Sequence, residues 1–251
     1  MYNRVIERLI HFSVEEWTLR QLWFSEREPG PWEWKGPVIR MGECFYGKFF
    51  AGKAGVVSRE WFPAFANYRR DGYDFDALYE DGKAARKDKY IYDTVAENGS
   101  LLTGELKKKC NYGKGGNKGF ETIITRLQME TYLVVEDFEY MRDKAGNTCG
   151  WGVARYSTPE KLAGEGFLSG EYKKEPEESR RAVYGHMKKL FPKFNYLTPQ
   201  NFGEDASQFV MGTQMGASYA EILAIPVVCG ILGQRFGMGI FRGFLRSWEV
   251  S

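Results

Sequence analysis

The sequence predicts an α+β protein built around a winged helix, a helix-turn-helix closed by a β-hairpin, with a second small aromatic-rich module ahead of it. Three observations point there. Between residues 84 and 158, three helix-like segments precede two runs of β-formers separated by a turn. From Lys83 to Arg126 ten basic residues stand against five acidic ones, a balance of +5, whereas Leu127 to Glu160 carries three against six, a balance of −3. Finally, 17 of the 40 aromatic residues, with five of the seven tryptophans, fall in the first 75 positions.

The whole chain frames these local features. Its 251 residues are 43% hydrophobic and 27% charged, a globular balance, and a mean hydropathy of −0.46 argues against a membrane-embedded protein. A net charge of +2 excludes a polycationic tail and leaves only locally basic surfaces to look for. The start, MYNRVIERLIHF, lacks the uninterrupted apolar core of a signal peptide, and the four cysteines show no close pairing, so a reducing cytoplasm is the expected location. The divisions expected are an aromatic-rich module at 1–80, a winged helix at 81–160, a linker and packing helix at 161–195, and a tail at 196–251.

In chain order, Ser13 and Glu16 form a capping box that starts a short helix, which Pro29 and Pro31 end. The run GPWEWKGPVIR is expected as an extended or turn segment, because each proline pushes its predecessor out of the helical region. Ser58 is placed to cap a helix near REWFPAFANY. In AARKDKYIYDTVAE, Ile91 and Val95 share a helix face, and Asn98-Gly99 is a suitable stop. Thr103 is placed to cap the short helix GELKKKC. After the loop NYGKGGN, a helix is expected from Lys118 to Met129, with Phe120, Ile123, Ile124 and Leu127 as one apolar stripe. At 100° per residue, Lys118, Thr122, Thr125 and Arg126 fall on the other side, toward solvent or a ligand. YLVVEDFEYM and GWGVARYS, joined by RDKAGNTC, make the hairpin. Pro176 opens a last helix whose stripe is Val183, Met187, Leu190 and Phe191, expected to pack on the preceding domain. The apolar run from Ile222 to Gly233 is short of the roughly 18–20 residues that span a bilayer, so no membrane partner is expected.

Several chemistries find no support. GKGGNKG matches neither phosphate-loop pattern and follows a helix rather than a strand. No GxSxG elbow occurs, and His11 and His186 have no nucleophile beside them, so packing or surface roles are expected for both. CxxC and HExxH are absent, so neither metal nor cofactor is expected. A wing behind three helices instead suits duplex DNA, the last helix entering the major groove. The residues expected on that face are Lys107, Lys108, Lys109, Lys114, Asn117, Lys118, Thr122, Thr125 and Arg126, with Arg142 and Lys144 on the wing. The bland alternatives are a solvated lysine face, or a winged helix that binds protein. The N-terminal aromatics either build a core or stack on extruded bases.

The run TRLQMETYLVVEDFEYMRDKAGNTCGWGVARYSTPE, with LLTGELKKK upstream, resembles the recognition helix and wing of AlkZ-related proteins, bacterial relatives of winged-helix DNA glycosylases that excise alkylated or crosslinked bases. SVEEWT, PWEWKGP, YGKFFAGKAG and NYRRDGYDF are similar to the N-terminal part of the same group, so the resemblance covers about residues 13–160. It implies hydrolysis of an N-glycosidic bond with water held by a Gln-x-Gln or Gln-x-Asp motif. Neither motif occurs in this chain. The nearest substitute is Gln128-Met129-Glu130, in which the carboxylate is a candidate general base and the amide a candidate water holder. Gln128 can equally satisfy backbone groups, and Glu130 can equally face solvent. The expectation is therefore a DNA-binding protein related to repair glycosylases, with a non-catalytic regulator or a protein-interaction scaffold as alternatives.

Overall fold

The computed structural model describes residues 31–190, apart from 51, 145 and 147. The Ser13–Glu16 cap, His11, the Phe191 end of the last apolar stripe and the stretch 196–251 lie outside the described residues. The protein is mixed α+β: helices pack on both faces of a five-stranded antiparallel sheet.

The first described element, α1 (Pro31–Arg40), corrects the reading of GPWEWKGPVIR as extended or turn. Pro31 suits a first helical position, where its missing N–H costs nothing. Pro37 lies inside the helix and forfeits one backbone bond. Burial of Val38 and Ile39 and an ion pair from Arg40 to Asp137 (2.6 Å) outweigh that loss. Two strands absent from the sequence expectation follow, β1 (Cys44–Phe50) and β2 (Lys53–Ser58), paired as a hairpin.

Helix α2 (Phe62–Arg70) forms as expected, but Ser58 does not cap it; the Ser58 hydroxyl accepts from the Trp61 amide one turn earlier. Helix α3 (Phe75–Glu80) is capped by Asp74, which accepts from the Ala77 amide at 2.8 Å. Next comes α4 (Arg86–Asn98), ending at Gly99 with φ +76°, as the Asn-Gly pair indicates. Strand β3 (Ser100–Leu102) leads into α5 (Thr103–Lys109). Thr103 is the first residue of α5 rather than its cap: its hydroxyl donates to the Ala154 carbonyl, while Glu105 turns back to the Leu102 amide (2.8 Å). Helix α6 (Phe120–Met129) starts two residues later than expected, because Gly119 is left-handed. Its stripe of Phe120, Ile123, Ile124 and Leu127 is buried throughout. Strands β4 (Val134–Arg142) and β5 (Thr148–Ser157) form the hairpin. Helix α7 (Pro159–Ala163), one 3-10 turn (Glu171–Lys173) and α8 (Pro176–Leu190) complete the described chain.

The strand order is β2-β1-β4-β5-β3, so strands from before residue 80 and after it share one sheet, joined where Tyr46 pairs with Val135. Successive strand residues point to opposite faces. Val134 therefore enters one core, with Phe45, Phe49, Val57, Phe62 and Phe65, while Val135 enters the other, with Ile91, Val95, Leu106, Ile124 and Leu127. Phe45, Phe49, Phe62, Phe65 and Phe75 of the N-terminal stretch are core residues, not a stacking surface. Helix α8 packs on α2 rather than on the α4–α6 unit, through Asn67 Nδ2 donating to Ser179 Oγ (2.9 Å).

Arg70, at the end of α2 and 3% exposed, joins these parts. Its Nη1 donates to Glu160 Oε1 (2.7 Å) and to the Tyr172 hydroxyl, its Nε to Thr131 Oγ1 (3.2 Å) and its Nη2 to the Thr131 carbonyl (2.8 Å). The guanidinium also lies 4.5 Å from the Tyr132 ring centre. Thr131 is fully buried with φ +65°, a region β-branched residues avoid at a cost of about 1–3 kcal/mol. Arg70→Ala strands Glu160 beside a buried gap and releases Thr131, and is expected to cost about 3 kcal/mol or more in urea denaturation. Arg70→Lys is expected to recover less than half of that, since an ammonium cannot reproduce the fork. A loss below about 1 kcal/mol for Arg70→Ala contradicts the role given to this residue.

Candidate nucleic-acid interface

Helix α5 ends in Lys107, Lys108 and Lys109, where positive charge complements the negative end of the helix dipole. Lys107 is committed: its Nζ pairs with Glu121 Oε1 on α6 (2.7 Å) and lies over the Phe120 ring. That ion pair fixes the end of α5 against the start of α6. Lys108 and Lys109 are exposed and make no ion pair with a described residue.

The turn between these helices is built tightly. The Asn117 amide donates to the Asn111 carbonyl at 2.6 Å, and its side chain to the Cys110 carbonyl at 3.1 Å. A Cβ on Gly116 would lie 2.2 Å from the Asn111 carbonyl oxygen, so only glycine fits there. Asn117 is thus occupied in shaping the loop, which presents Lys114 and Lys118 to solvent.

On α6, Thr122 is exposed, and Thr125 and Arg126 are half-buried. Thr125 lies beside the β1–β2 turn, where a Cβ on Gly52 would come within 3.3 Å of its Cγ2. Arg126 makes a two-toothed pair with Asp88 of α4, Nε to Oδ2 at 2.9 Å and Nη2 to Oδ1 at 2.6 Å. The accessible part of α6 is therefore its N-terminal half. Arg142 and Lys144 are exposed near the β4–β5 turn, about 25 Å along the strand from Val134 at roughly 3.3 Å per residue.

Gln128 is 1% exposed, and both ends of its amide are engaged: Oε1 accepts from the Lys48 amide (3.1 Å), and Nε2 donates to the Ile124 carbonyl (2.9 Å). It locks β1 onto α6. Glu130 sits just past α6, half-buried. Desolvation pushes its carboxyl up to about 7, with Asp88 adding to the rise and Arg126 opposing it. Among the described residues no group of three or more His, Cys, Asp or Glu is placed to hold a metal ion, and no described helix is long and apolar enough to cross a membrane. His186 stacks on Trp61 with ring centres 4.0 Å apart, a packing role.

A family model described as AlkZ related matches residues 3–197. The chain belongs to the AlkZ-related family. No curated protein and no solved structure matches it. Membership relates this AlkZ-related chain to DNA-repair glycosylases and extends the resemblance beyond the 13–160 seen in its motifs.

Sequence reasoning passed over one part of the basic surface. Arg86 and Lys87 are exposed in the first turn of α4, two residues or fewer from the Asp88 that holds Arg126. Cations are unfavourable at that positive helix end, which makes their placement informative. The signal was present in AARKDK but was absorbed into the helix assignment. Lys83, just before them, donates to the Tyr73 hydroxyl (2.7 Å).

The raised carboxyl of Glu130 has a consequence for stability. A carboxyl with a folded-state pKa above its unfolded value contributes stability that is complete below the unfolded pKa and is lost as pH rises through about 7. Glu130→Gln is expected to raise the melting temperature at pH 8 and to flatten its decline between about pH 4.5 and 7. Parallel pH profiles for the two proteins show that the carboxyl does not titrate in this range.

Proposed function

We propose that this AlkZ-related chain binds duplex DNA through a winged helix made of α4, β3, α5, α6, β4 and β5, acting as a repair protein of the glycosylase type. The observation that carries the reading is the exposed row of Lys108, Lys109, Lys114 and Lys118 around the N-terminal half of α6, the end of a recognition helix that meets base edges. Thr122 is the side chain on α6 best placed for a base edge. Arg142 and Lys144 on the wing and Arg86 and Lys87 on α4 extend phosphate contact. Arg126, held by Asp88, stiffens the helix pair. Cys44 and Cys110, buried free thiols, suit a reducing compartment such as the cytoplasm.

Fluorescence anisotropy with a labelled duplex at two salt concentrations tests this. Lys108→Glu with Lys109→Glu is expected to weaken binding about tenfold or more, irrespective of DNA sequence, and to lower the salt slope by about two. Binding that responds neither to salt nor to these changes removes the reading.

Base excision is the second reading, favoured by Glu130. A carboxyl brought to about 7 by burial is suited to accept a proton from water near neutral pH. Gln128, bound to two backbone groups, serves in positioning the end of α6 rather than in holding that water. On an alkylated duplex, Glu130→Gln is expected to lower base release about 100-fold or more with duplex affinity kept, and wild-type release should rise with pH through about 7. Undiminished release by Glu130→Gln excludes Glu130 as the base.

A further inference from the structure

Arg126 stands between two carboxylates and takes only one. Asp88, in the first turn of α4, receives Nε at 2.9 Å and Nη2 at 2.6 Å, two parallel bonds that use one whole edge of the guanidinium. Glu130 lies four residues after Arg126, just past the end of α6, at the spacing where an acid and a base on one helix face meet. Each senses the other's charge, yet among the described residues the Glu130 carboxylate makes no ion pair and accepts no hydrogen bond. The long-range pair has displaced the local one.

Burial decides this competition. The Asp88 side chain is 6% exposed and sits at the positive end of α4, where an ionised carboxylate is favoured but needs a partner to be buried. Glu130 is only half-buried and can shed its charge by taking a proton instead. The other groups around it offer no substitute for the guanidinium. Tyr132 donates its hydroxyl to the Tyr73 carbonyl (3.1 Å), and Arg70, beneath Thr131, is turned to Glu160. Lys48 of β1 meets this helix end through its backbone amide, on Gln128. Desolvation, with the Asp88 charge adding to it, therefore outweighs the opposing pull of Arg126 on the Glu130 carboxyl.

We propose that Asp88 is a positioning residue for Glu130: by fastening the Arg126 guanidinium to α4, it withholds from Glu130 the ion-pair partner four residues away and so keeps that carboxyl basic. The use of the base rests on the excision reading, in which Glu130 takes a proton from water; the withholding itself is a property of the resting protein. The Asp88–Arg126 pair then has two effects, a tie between α4 and α6 and a control on the group at the end of α6.

Carbon-13 NMR titration of the glutamate carboxyls in the full chain tests this, the Glu130 signal being assigned by its loss in Glu130→Gln. The parent midpoint is expected at about 7. Asp88→Asn removes one negative charge and frees Arg126, so the Glu130 midpoint is expected to fall by about one pH unit or more. Arg126→Gln is expected to raise it, because Asp88 stays ionised nearby and the opposing cation is gone; this variant carries the test if Asp88→Asn does not fold. The double variant, with neither charge, is expected to return close to the parent midpoint, which a purely structural tie does not produce. In Asp88→Asn, the rise of base release from an alkylated duplex is expected to move to lower pH by the same interval and to level off at a lower rate, the base being weaker. The proposal is overturned if Glu130 of the parent titrates as an ordinary carboxyl, if a folded Asp88→Asn leaves its midpoint unchanged, or if the two single variants move it the same way. Midpoints that shift as expected while Glu130→Gln releases bases undiminished uphold the hold of Asp88 on Arg126 and remove the excision reading instead.

Discussion

A guanidinium buried beneath the last turn of α6 holds Thr131 in a left-handed conformation that its branched side chain disfavours, and the direction in which the chain leaves α6 follows from that hold. With Thr131 so fixed, Tyr132 and Leu133 enter the core and β4 begins in register beside β1 and β5. The same guanidinium reaches Glu160 on α7 and Tyr172 in the 3-10 turn, so chain segments from four parts of the sequence meet at one cation. Its burial is tolerable because its fork has acceptors in several directions and an aromatic face beside it. Gln128 adds a second tie from the same helix end, to β1. The position of α6, on which the basic surface depends, is thus set from its C-terminal end, leaving the N-terminal half open.

The charges around that open half divide by partner. Lys107 and Arg126 are held by Glu121 and Asp88, and they fix α6 to α5 and to α4. Lys108 and Lys109 at the end of α5, and Lys114 and Lys118 in the loop that leads to α6, are exposed. Two paired cations thus flank four exposed ones along a short stretch, which explains why charge counting found a basic segment without separating the two kinds.

Local signals made part of this legible in the sequence. The apolar stripe of α6, the glycine stop of α4 and the hairpin of β4 and β5 each follow from a period or a turn residue, and each is present. Asp74 before α3 and Thr158-Pro159 before α7 were equally local signals that went unused. Strands β1 and β2 were hidden because Gly47 and Gly55 interrupt their alternation, and Gly47 packs against the Phe49 ring instead of carrying a side chain. Helix α1 was masked by two prolines whose cost is met by tertiary packing, which no local rule reports. The basic residues of the candidate interface were readable from composition. The clamp of Arg70 on Thr131, 61 positions apart, was not, because it arises only when distant segments meet.

The turn from Asn111 to Gly119 carries a further consequence. Asn117 closes it from both its amide and its side chain, and Gly116 sits against the Asn111 carbonyl with no room for another residue. Glycine-rich loops are commonly taken as floppy, but this one is shaped before any ligand arrives. The entropy of ordering its backbone is spent in folding the protein, so under the proposed function a polyanion would need only to still the side chains of Lys114 and Lys118. The proposed recognition at this edge of α6 would then be closer to lock and key than to disorder-to-order capture, with the spacing of its two lysines inherited from a steric contact between a glycine and an asparagine.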